Sequence, residues 1–502
     1  MPWLALHLPL LSLEAFAATL PEAERAAPLA LLADHRIGAA NAAATAAGIH
    51  PGLKRATALA LVADLRLGPA DAVRDAMALQ AVVHAALAFT PMVTLDGPAT
   101  VLLGLHTVLR YHGGPERLRQ RLLAALAPLG HHLQMASAPT PGGAALLARW
   151  RDDLAWGPHS TDPAALHSLL DQVPVHLFGP GREHWEALQG MGLHHLADLR
   201  ALPRAGLTRR FGATLLADLD RARGEASDPR EALTAPPVFE SRLELFARAD
   251  TTAQVLHGAA VLLARLLAWA QARHSRIAAF TLRMQHETRR RADAPPHTDL
   301  TVELAEPAAD AAQLNLLLRE RLAQCPLPAP TLDLQLHCSR LVVAAAPSGD
   351  LFPSRQGQRE GLARLLERLR ARLGDAQVQR LQPVADHRPE QACRLQTRSL
   401  QTSLTADQPN TTIGTLPLHR PAWLLPTPQP LAERASLPLL DGRPLQIVSG
   451  PERIEAGWWD GPGLAARDYF IARADDGALV WIYRTRLPLA TPSGWFLQGR
   501  FA

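Results

Sequence analysis

The stretch from Phe239 to Val343 leaves little choice in what it can become. It reads "FESRLELF", a long apolar helical run near 252–273, "RIAAFTLRMQHE", "HTDLTVELAEP", a second helical run near 309–323, and "TLDLQLHCSRLVV". Four strand-like runs and two helical ones in βαββαβ order specify a compact sheet-and-helix unit. The run "AAVLLARLLAWA" within the first helix is broken by Arg265, so it reads as a buried amphipathic helix and not as a membrane span.

The rest of the chain is organised around that unit. Residues 1–160 alternate short apolar strands ("PLALLADH", "ATVLLGL") with helical periodicity ("ADAVRDAMALQAVVHAALAF", "PERLRQRLLAALAPLG"), an α/β pattern. Residues 165–225 are helical and punctuated by Gly and Pro, and "DPREALTAPPVFE" reads as a linker. Beyond Pro347 come a helix at 359–374 and a polar, Pro-rich stretch to about 440. A β-rich end follows, carrying Trp458, Trp459, Tyr469, Phe470, Trp481, Tyr483, Trp495 and Phe496. A length of 502 residues allows about three domains. Only 5% of residues are aromatic, so cores elsewhere must be built on Leu, Ala and Val.

Composition excludes some classes. Cys325, Cys338 and Cys393 lack CxxC spacing, which fits a reducing cytoplasm and argues against a disulfide framework or a zinc cluster. The N-terminal apolar run has no basic residue before it, the first being Arg25, which argues against export. A net charge of +4 with a pI near 9.4 permits nucleic-acid binding without requiring it.

"REHWEALQGMGLHHLADLRALPRAGLTRRFG" (182–212) has two short helical runs joined at Gly190, Met191 and Gly192, which allow a tight reversal. A helix N-terminus following such a turn offers amide N–H groups to a DNA phosphate. Arg204, Arg209, Arg210, Arg221 and Arg223 lie close by. The segment reads either as a helix-hairpin-helix DNA contact or as an ordinary connector. "HETRRRAD" (286–293), with Arg289, Arg290 and Arg291, is likewise either a solvated hairpin tip or a DNA-backbone contact.

The order of these parts resembles the Y-family translesion DNA polymerases. "IGAANAAATAAGIHPGL" (37–53), "LRYHGG" (109–114), "SAPTPGGAALLAR" (137–149), "LADLRALPRAGLTRRFGATLLADLDRARG" (196–224) and the closing "GPERIEAGWWDG…RDYFIAR…GWFLQGRFA" (450–502) are similar to a branch of it that serves as a subunit of a mutagenesis cassette. The resemblance implies an α+β multidomain right hand: palm (1–18 and 66–165), fingers (19–65), helical thumb with the hairpin (166–234) and βαββαβ little finger (235–346). After these come a clamp-binding linker (347–358), a helix with a Pro-rich linker (359–440) and a β-rich partner-binding end (441–502).

In such a polymerase, carboxylates hold two Mg²⁺ ions, a hard cation that prefers anionic oxygens. Laid onto this sequence, the carboxylate positions fall at His7, Ala99 and Thr100, with a later aspartate position at Gly104. The Tyr and Arg that hold the triphosphate fall at Ala42 and Thr45. The resemblance therefore implies no metal, no cofactor and no catalysis; the alternative is an active polymerase with displaced ligands such as Asp96 and Glu14. It also implies contacts with primer-template DNA, the β sliding clamp, the companion protein ImuA and an error-prone C-family polymerase. "SGDLF" (Ser348, Gly349, Asp350, Leu351, Phe352) stands where a clamp peptide is expected, though it also reads as plain linker. The C-terminal aromatics serve a small core, a docking surface, or both. "LARLLERLRARLG" reads as an amphipathic helix packed on its own domain in preference to a partner helix. A third reading is a DNA-binding structural protein with neither clamp nor polymerase partner.

Overall fold

The computed structural model describes residues 2–287, 295–343, 355–396, 420–421, 423–459, 464–486 and 494–501. The chain forms two units, Met1–Arg372 and Leu373–Ala502.

The first unit opens with β1 (Trp3–His7), α1 (Leu11–Ala17), β2 (Leu29–Ala33), β3 (Arg36–Ala40), α2 (Ala42–Ala46), α3 (Arg55–Leu61) and β4 (Arg66–Pro69). Then follow α4 (Ala72–Leu87), β5 (Val93–Leu95), β6 (Thr100–Gly104), α5 (Pro115–Leu126), β7 (Gln134–Ala138) and α6 (Pro141–Trp150). The palm sheet runs β5-β6-β1-β7, antiparallel throughout. Alternation along β1 divides its side chains between two cores. Leu4 and Leu6 pack with Val101 and Leu103 over α4 and α5, whereas Ala5, Leu102, Ala136 and Ala138 pack with α6 and the thumb. With helices on both faces, small aliphatic side chains fill the space. The fingers are a separate three-stranded sheet, β3-β2-β4, and because β4 pairs with β2 this lobe runs to Pro69, past the expected boundary at residue 65.

The thumb consists of α7 (Pro163–Leu170), α8 (Gly179–Glu183), α9 (Trp185–Gly190), α10 (Leu196–Arg200), α11 (Arg204–Phe211) and α12 (Ala213–Arg223). The linker after it lies along the palm edge, where Leu233 N–H donates to Val93 C=O at 2.8 Å.

The little finger has the expected order: β8 (Phe239–Ala249), α13 (Thr252–Ala272), β9 (Ser275–His286), β10 (His297–Ala308), α14 (Ala311–Ala323) and β11 (Thr331–Val343), in a sheet ordered β10-β9-β11-β8. Helix α13 has a mean hydropathy of 1.4, enough by length and composition to cross a membrane. Its apolarity has a structural cause. One face packs on the little-finger sheet through Val255, Leu262 and Leu266, while Ala268 belongs to the palm core above α4. A helix covered on two sides has no need of a polar face.

Helix α15 (Arg355–Leu373) packs on its own unit, with Ala371 in the little-finger core, but several of its leucines face outward. Leu362, Leu365 and Leu369 are 56%, 52% and 38% exposed, while Glu367, Arg370 and Ala371 are buried. Gln313 donates to Glu367 at 3.1 Å, and Gln324 reaches the Arg372 carbonyl at 3.4 Å, so the polar face is the one turned to α14.

The second unit has a small ladder of β12 (Arg380–Pro383) and β13 (Cys393–Gln396). It also has a seven-stranded antiparallel sheet built from β14 (Trp423–Arg434), β15 (Leu437–Leu440), β16 (Arg443–Pro444), β17 (Gln446–Ala456), β18 (Ala465–Arg473), β19 (Leu479–Thr485) and β20 (Trp495–Arg500). Strands β12 to β15 lie inside the stretch expected to be linker, so the β-rich end begins well before residue 441. Tyr469 stacks on Trp481 at 4.2 Å, and Arg467 lies 4.7 Å over the Tyr483 ring. Trp458 and Trp459 remain exposed. The three cysteines are free.

Candidate functional site

The palm centre is the end of β1 at His7. In the sheet register His7 stands opposite Thr100 on one side and Gln134 on the other. His7 Nδ1 lies 3.0 Å from Thr100 Oγ1, and Thr100 is fully buried. Burial, then the nearby Arg149 and Arg182 guanidiniums, lower the His7 pKa to about 4, so the ring is neutral at physiological pH. Of the four sequence-marked positions, this geometry joins two. Ala99 gives its carbonyl to Leu8 N–H at 2.8 Å, and its side chain packs in the opposite core. Gly104 stands opposite Trp3 at the far end of the strand, where a Cβ would come within 2.8 Å of Met92 Cγ. Close packing explains that glycine.

The two acidic residues considered as displaced ligands are engaged elsewhere. Asp96, at the hairpin before β6, is held by Arg149 (Nη2 to Oδ2 2.5 Å) and Arg230 (Nη1 to Oδ1 3.2 Å). Glu14 accepts the His132 N–H at 3.0 Å and faces His131 Nδ1 at 3.3 Å. Among the described residues no three His, Cys, Asp or Glu side chains converge as metal ligands. The Mg²⁺ pair implied by a polymerase fold does not fit a neutral imidazole, a hydroxyl and a methyl, because a hard dication needs anionic oxygens.

In the fingers, Ala42 and Thr45 are exposed on α2, and Thr45 Oγ1 donates back to the Asn41 carbonyl at 2.9 Å. The organising residue is Asn41, which the resemblance passed over. Its side chain caps α2 by accepting from Ala44 N–H at 2.9 Å and ties in β2 through Leu29 N–H at 3.0 Å. An Asn directly before an Ala-rich helix is a legible capping signal.

The hairpin forms as a turn, with Gly192 at φ +76° between α9 and α10. Its amides, however, are taken. Met191 and Leu193 donate to the Leu188 carbonyl, Gly192 to Gln189, Leu196 to Val173 and Ala197 to Asp171. His194 and His195 N–H both donate to Asp198 Oδ2 at 2.9 Å, and these bonds hold the Asp198 carboxyl below its usual range. The free amide donors expected of this turn are thus already satisfied within the chain.

The arginines around it divide into two groups. Arg204 is bidentate to Asp220 (3.0 and 2.5 Å), Arg221 pairs with Asp218, and Arg223 is buried against Asp171 (2.9 Å) and Glu225 (2.8 Å). Arg209 and Arg210 are exposed at the end of α11 with no ion pair among the described residues, Arg210 lying 5.6 Å over the Phe211 ring. A cleft of 620 Å³ lies between palm and thumb, lined by Asp96, Arg149, Asp218, Arg221, Asp228 and Arg230. Arg289, Arg290 and Arg291, and Ser348 to Phe352, lie outside the described residues.

A four-stranded palm, a small fingers lobe, a helical thumb with a hairpin and a βαββαβ little finger define a Y-family-polymerase-like right hand. Among solved structures, the chain is similar to the insertion ternary complex of Dbh DNA polymerase (TM-score 0.37, 14% identity, 68% of this chain and 100% of that one). It is also similar to DinB from Sulfolobus solfataricus (TM-score 0.36, 14% identity, with the same coverage). No family model matches the sequence. Protein ImuB of Caulobacter vibrioides, from strains NA1000 and ATCC 19089, is 31% identical over 451 residues, covering 85% of this chain and 94% of that protein. The chain belongs to the ImuB family.

Proposed function

We propose that this chain is a non-catalytic, polymerase-like adaptor of translesion synthesis and DNA repair. In this reading it grips primer-template DNA through backbone phosphates and binds the sliding clamp through Ser348–Phe352. With the companion ImuA, it brings an error-prone C-family polymerase to damaged DNA in the cytoplasm, at the nucleoid. The carrying observation is the His7–Thr100 hydrogen bond at the palm centre, a neutral pair where metal-binding carboxylates would have to converge. Arg209 and Arg210 support the DNA contact, because they are exposed neighbours on α11 with no ion pair among the described residues. The expected contribution of Gly190, Met191 and Gly192 is reduced to shaping the turn that carries them. Arg289–Arg291 extend the same contact from the little finger.

Primer extension with Mg²⁺ or Mn²⁺ tests the reading: no incorporation is expected, and robust incorporation overturns it. Clamp capture by the wild type, lost in Leu351→Ala/Phe352→Ala, tests the clamp arm. The rival reading, catalysis through Asp96 and Glu14, is disfavoured by their present partners, Arg149 and Arg230 for one and His131 and His132 for the other.

A further inference from the structure

The seam between palm and little finger contains an electrostatic imbalance that the adaptor reading leaves unexplained. A cavity of 140 Å³ lies there, lined among others by Arg25, Arg265, Glu14, His131, Ala81 and Val261. Arg265, on α13, is 5% exposed, and its Nη1 meets only neutral acceptors, Ser241 Oγ at 3.2 Å and the Arg242 carbonyl at 3.4 Å. Arg25, between α1 and β2, donates from Nη2 to His257 Nε2 at 2.7 Å and to the Ala18 carbonyl at 3.4 Å. Its Nε is buried without a hydrogen-bond partner.

Neither guanidinium has a carboxylate within 4 Å among the described residues. The one carboxylate lining the cavity, Glu14, is turned to the His132 N–H and His131. Burial lowers the pKa of both arginines, Arg265 to about 10, yet both stay protonated at neutral pH. Arg265 is a buried cation with no ion-paired carboxylate, and Arg25 adds a second, half-buried guanidinium in the neighbourhood of Glu22; an uncompensated buried charge is strongly destabilising, so an anion joining the two is favourable. Guanidinium forks are the side chains best matched to tetrahedral oxyanions.

We propose that this cavity binds a phosphate-class oxyanion, whose oxygens accept from Arg25, ahead of β2, and from Arg265 on α13 and so latch the little finger to the N-terminal lobes. The volume suits one tetrahedral group; a nucleotide would enter by its terminal phosphate alone. The site is distinct from Arg209 and Arg210 and does not depend on the DNA reading.

Equilibrium dialysis of the full chain at constant ionic strength, with inorganic phosphate, pyrophosphate and dATP in separate arms, tests the proposal. Saturable one-to-one binding is expected, weakened at least about tenfold by Arg25→Gln. Glu14→Gln should move it the other way, severalfold tighter, because a negative charge leaves the wall. Equal binding of inorganic phosphate and dATP assigns the ligand to the free ion, and binding of dATP alone that is lost in Arg25→Gln assigns it to a nucleotide's terminal phosphate. Arg25→Gln leaves α13 intact, so the test does not hinge on an Arg265 variant folding. The absence of saturable binding in every arm, or binding unchanged in both variants, overturns the proposal.

Discussion

The palm centre and the end of thumb helix α11 treat polar side chains in opposite ways. At the palm, half-buried His7 bonds to buried Thr100, and Asp96 is gripped by two arginines. On α11, Arg209 and Arg210 stand in solvent with no acidic partner among the described residues, although Arg204, Arg221 and Arg223 around them are all paired. In the adaptor reading, the palm satisfies its own polar groups, because unpartnered buried polar atoms are destabilising. A surface that still meets a polyanion leaves charges unneutralised, because each free guanidinium can replace a counterion on DNA. In the adaptor reading, the contrast favours the thumb over the sheet as the place where nucleic acid is met.

The severest way to break that contrast is to put carboxylates back. His7→Asp/Thr100→Glu places two acids at facing positions, one of them fully buried, where like charges and desolvation act together. A loss of about 3 kcal/mol or more is expected in urea denaturation at neutral pH, unrelieved by millimolar Mg²⁺. If Mg²⁺ restored the stability, the palm would still be a metal seat and the comparison would fail.

Acid provides the next largest effect. The folded-state pKa of His7 is about 4, below the ordinary value of 6.5. Between those values the unfolded chain binds a proton that the folded chain refuses, so stability falls as pH drops below about 6.5 and levels off below 4. The loss for this residue reaches about 2–3 kcal/mol. His84, buried in α4 with Nε2 unpartnered and a pKa also near 4, adds a term of the same sign. His84→Leu should flatten the acid limb of a stability-against-pH profile; a profile identical to wild type would show that neither the burial nor the missing partner matters.

The two regions also differ in how far they can be read from sequence. The little finger was legible because its strands and helices each carry their own period, and α13 because Arg265 interrupts its apolar run as in a buried amphipathic helix. The N-terminal α/β alternation marked the elements but not the pairing. The palm sheet is antiparallel, since β1, β6 and β7 return to one another across long connections that local pattern does not encode. Strand β14 was hidden by Pro426, Pro428 and Pro430, which read as linker. Pro426 and Pro428 fall where its pairing with β20 is irregular, between Leu424 and Gln429, so their missing N–H groups do least harm, whereas Pro430 stands in register opposite Phe496. The outward leucines of α15 were not legible, because helical spacing shows which residues share a face and not which face is covered. For the same reason the arginine count near the hairpin overstated the contact: spacing cannot show that Asp171, Asp218 and Asp220 already neutralise three of the five.

The arginine division itself is open to direct attack. Arg209→Ala/Arg210→Ala should weaken binding to a primer-template by about tenfold and lower the salt dependence by about two phosphate contacts, with the melting temperature unchanged. Arg204→Ala removes the same formal charge but also frees Asp220, so its DNA affinity should fall by a smaller factor, with some loss of thumb stability. Equal losses in the two fluorescence-anisotropy titrations would mean that pairing does not decide which arginines reach the nucleic acid.

The smallest effect is the most discriminating for the hairpin. Asp198 accepts two amides at the start of α10, so Asp198→Ala should cost about 1 kcal/mol of stability, as loss of a cap does. DNA affinity should stay within about twofold, because freeing two amides adds little beside the charges on α11. Suppose instead that the variant bound DNA about tenfold tighter, with a steeper salt dependence. The carboxylate would then have been standing in for a phosphate, and the hairpin amides would be a nucleic-acid site masked by the chain's own side chain. The thumb would in that case resemble the palm, a site closed by its own polar groups, and the division between the two regions would lie in how easily each reopens.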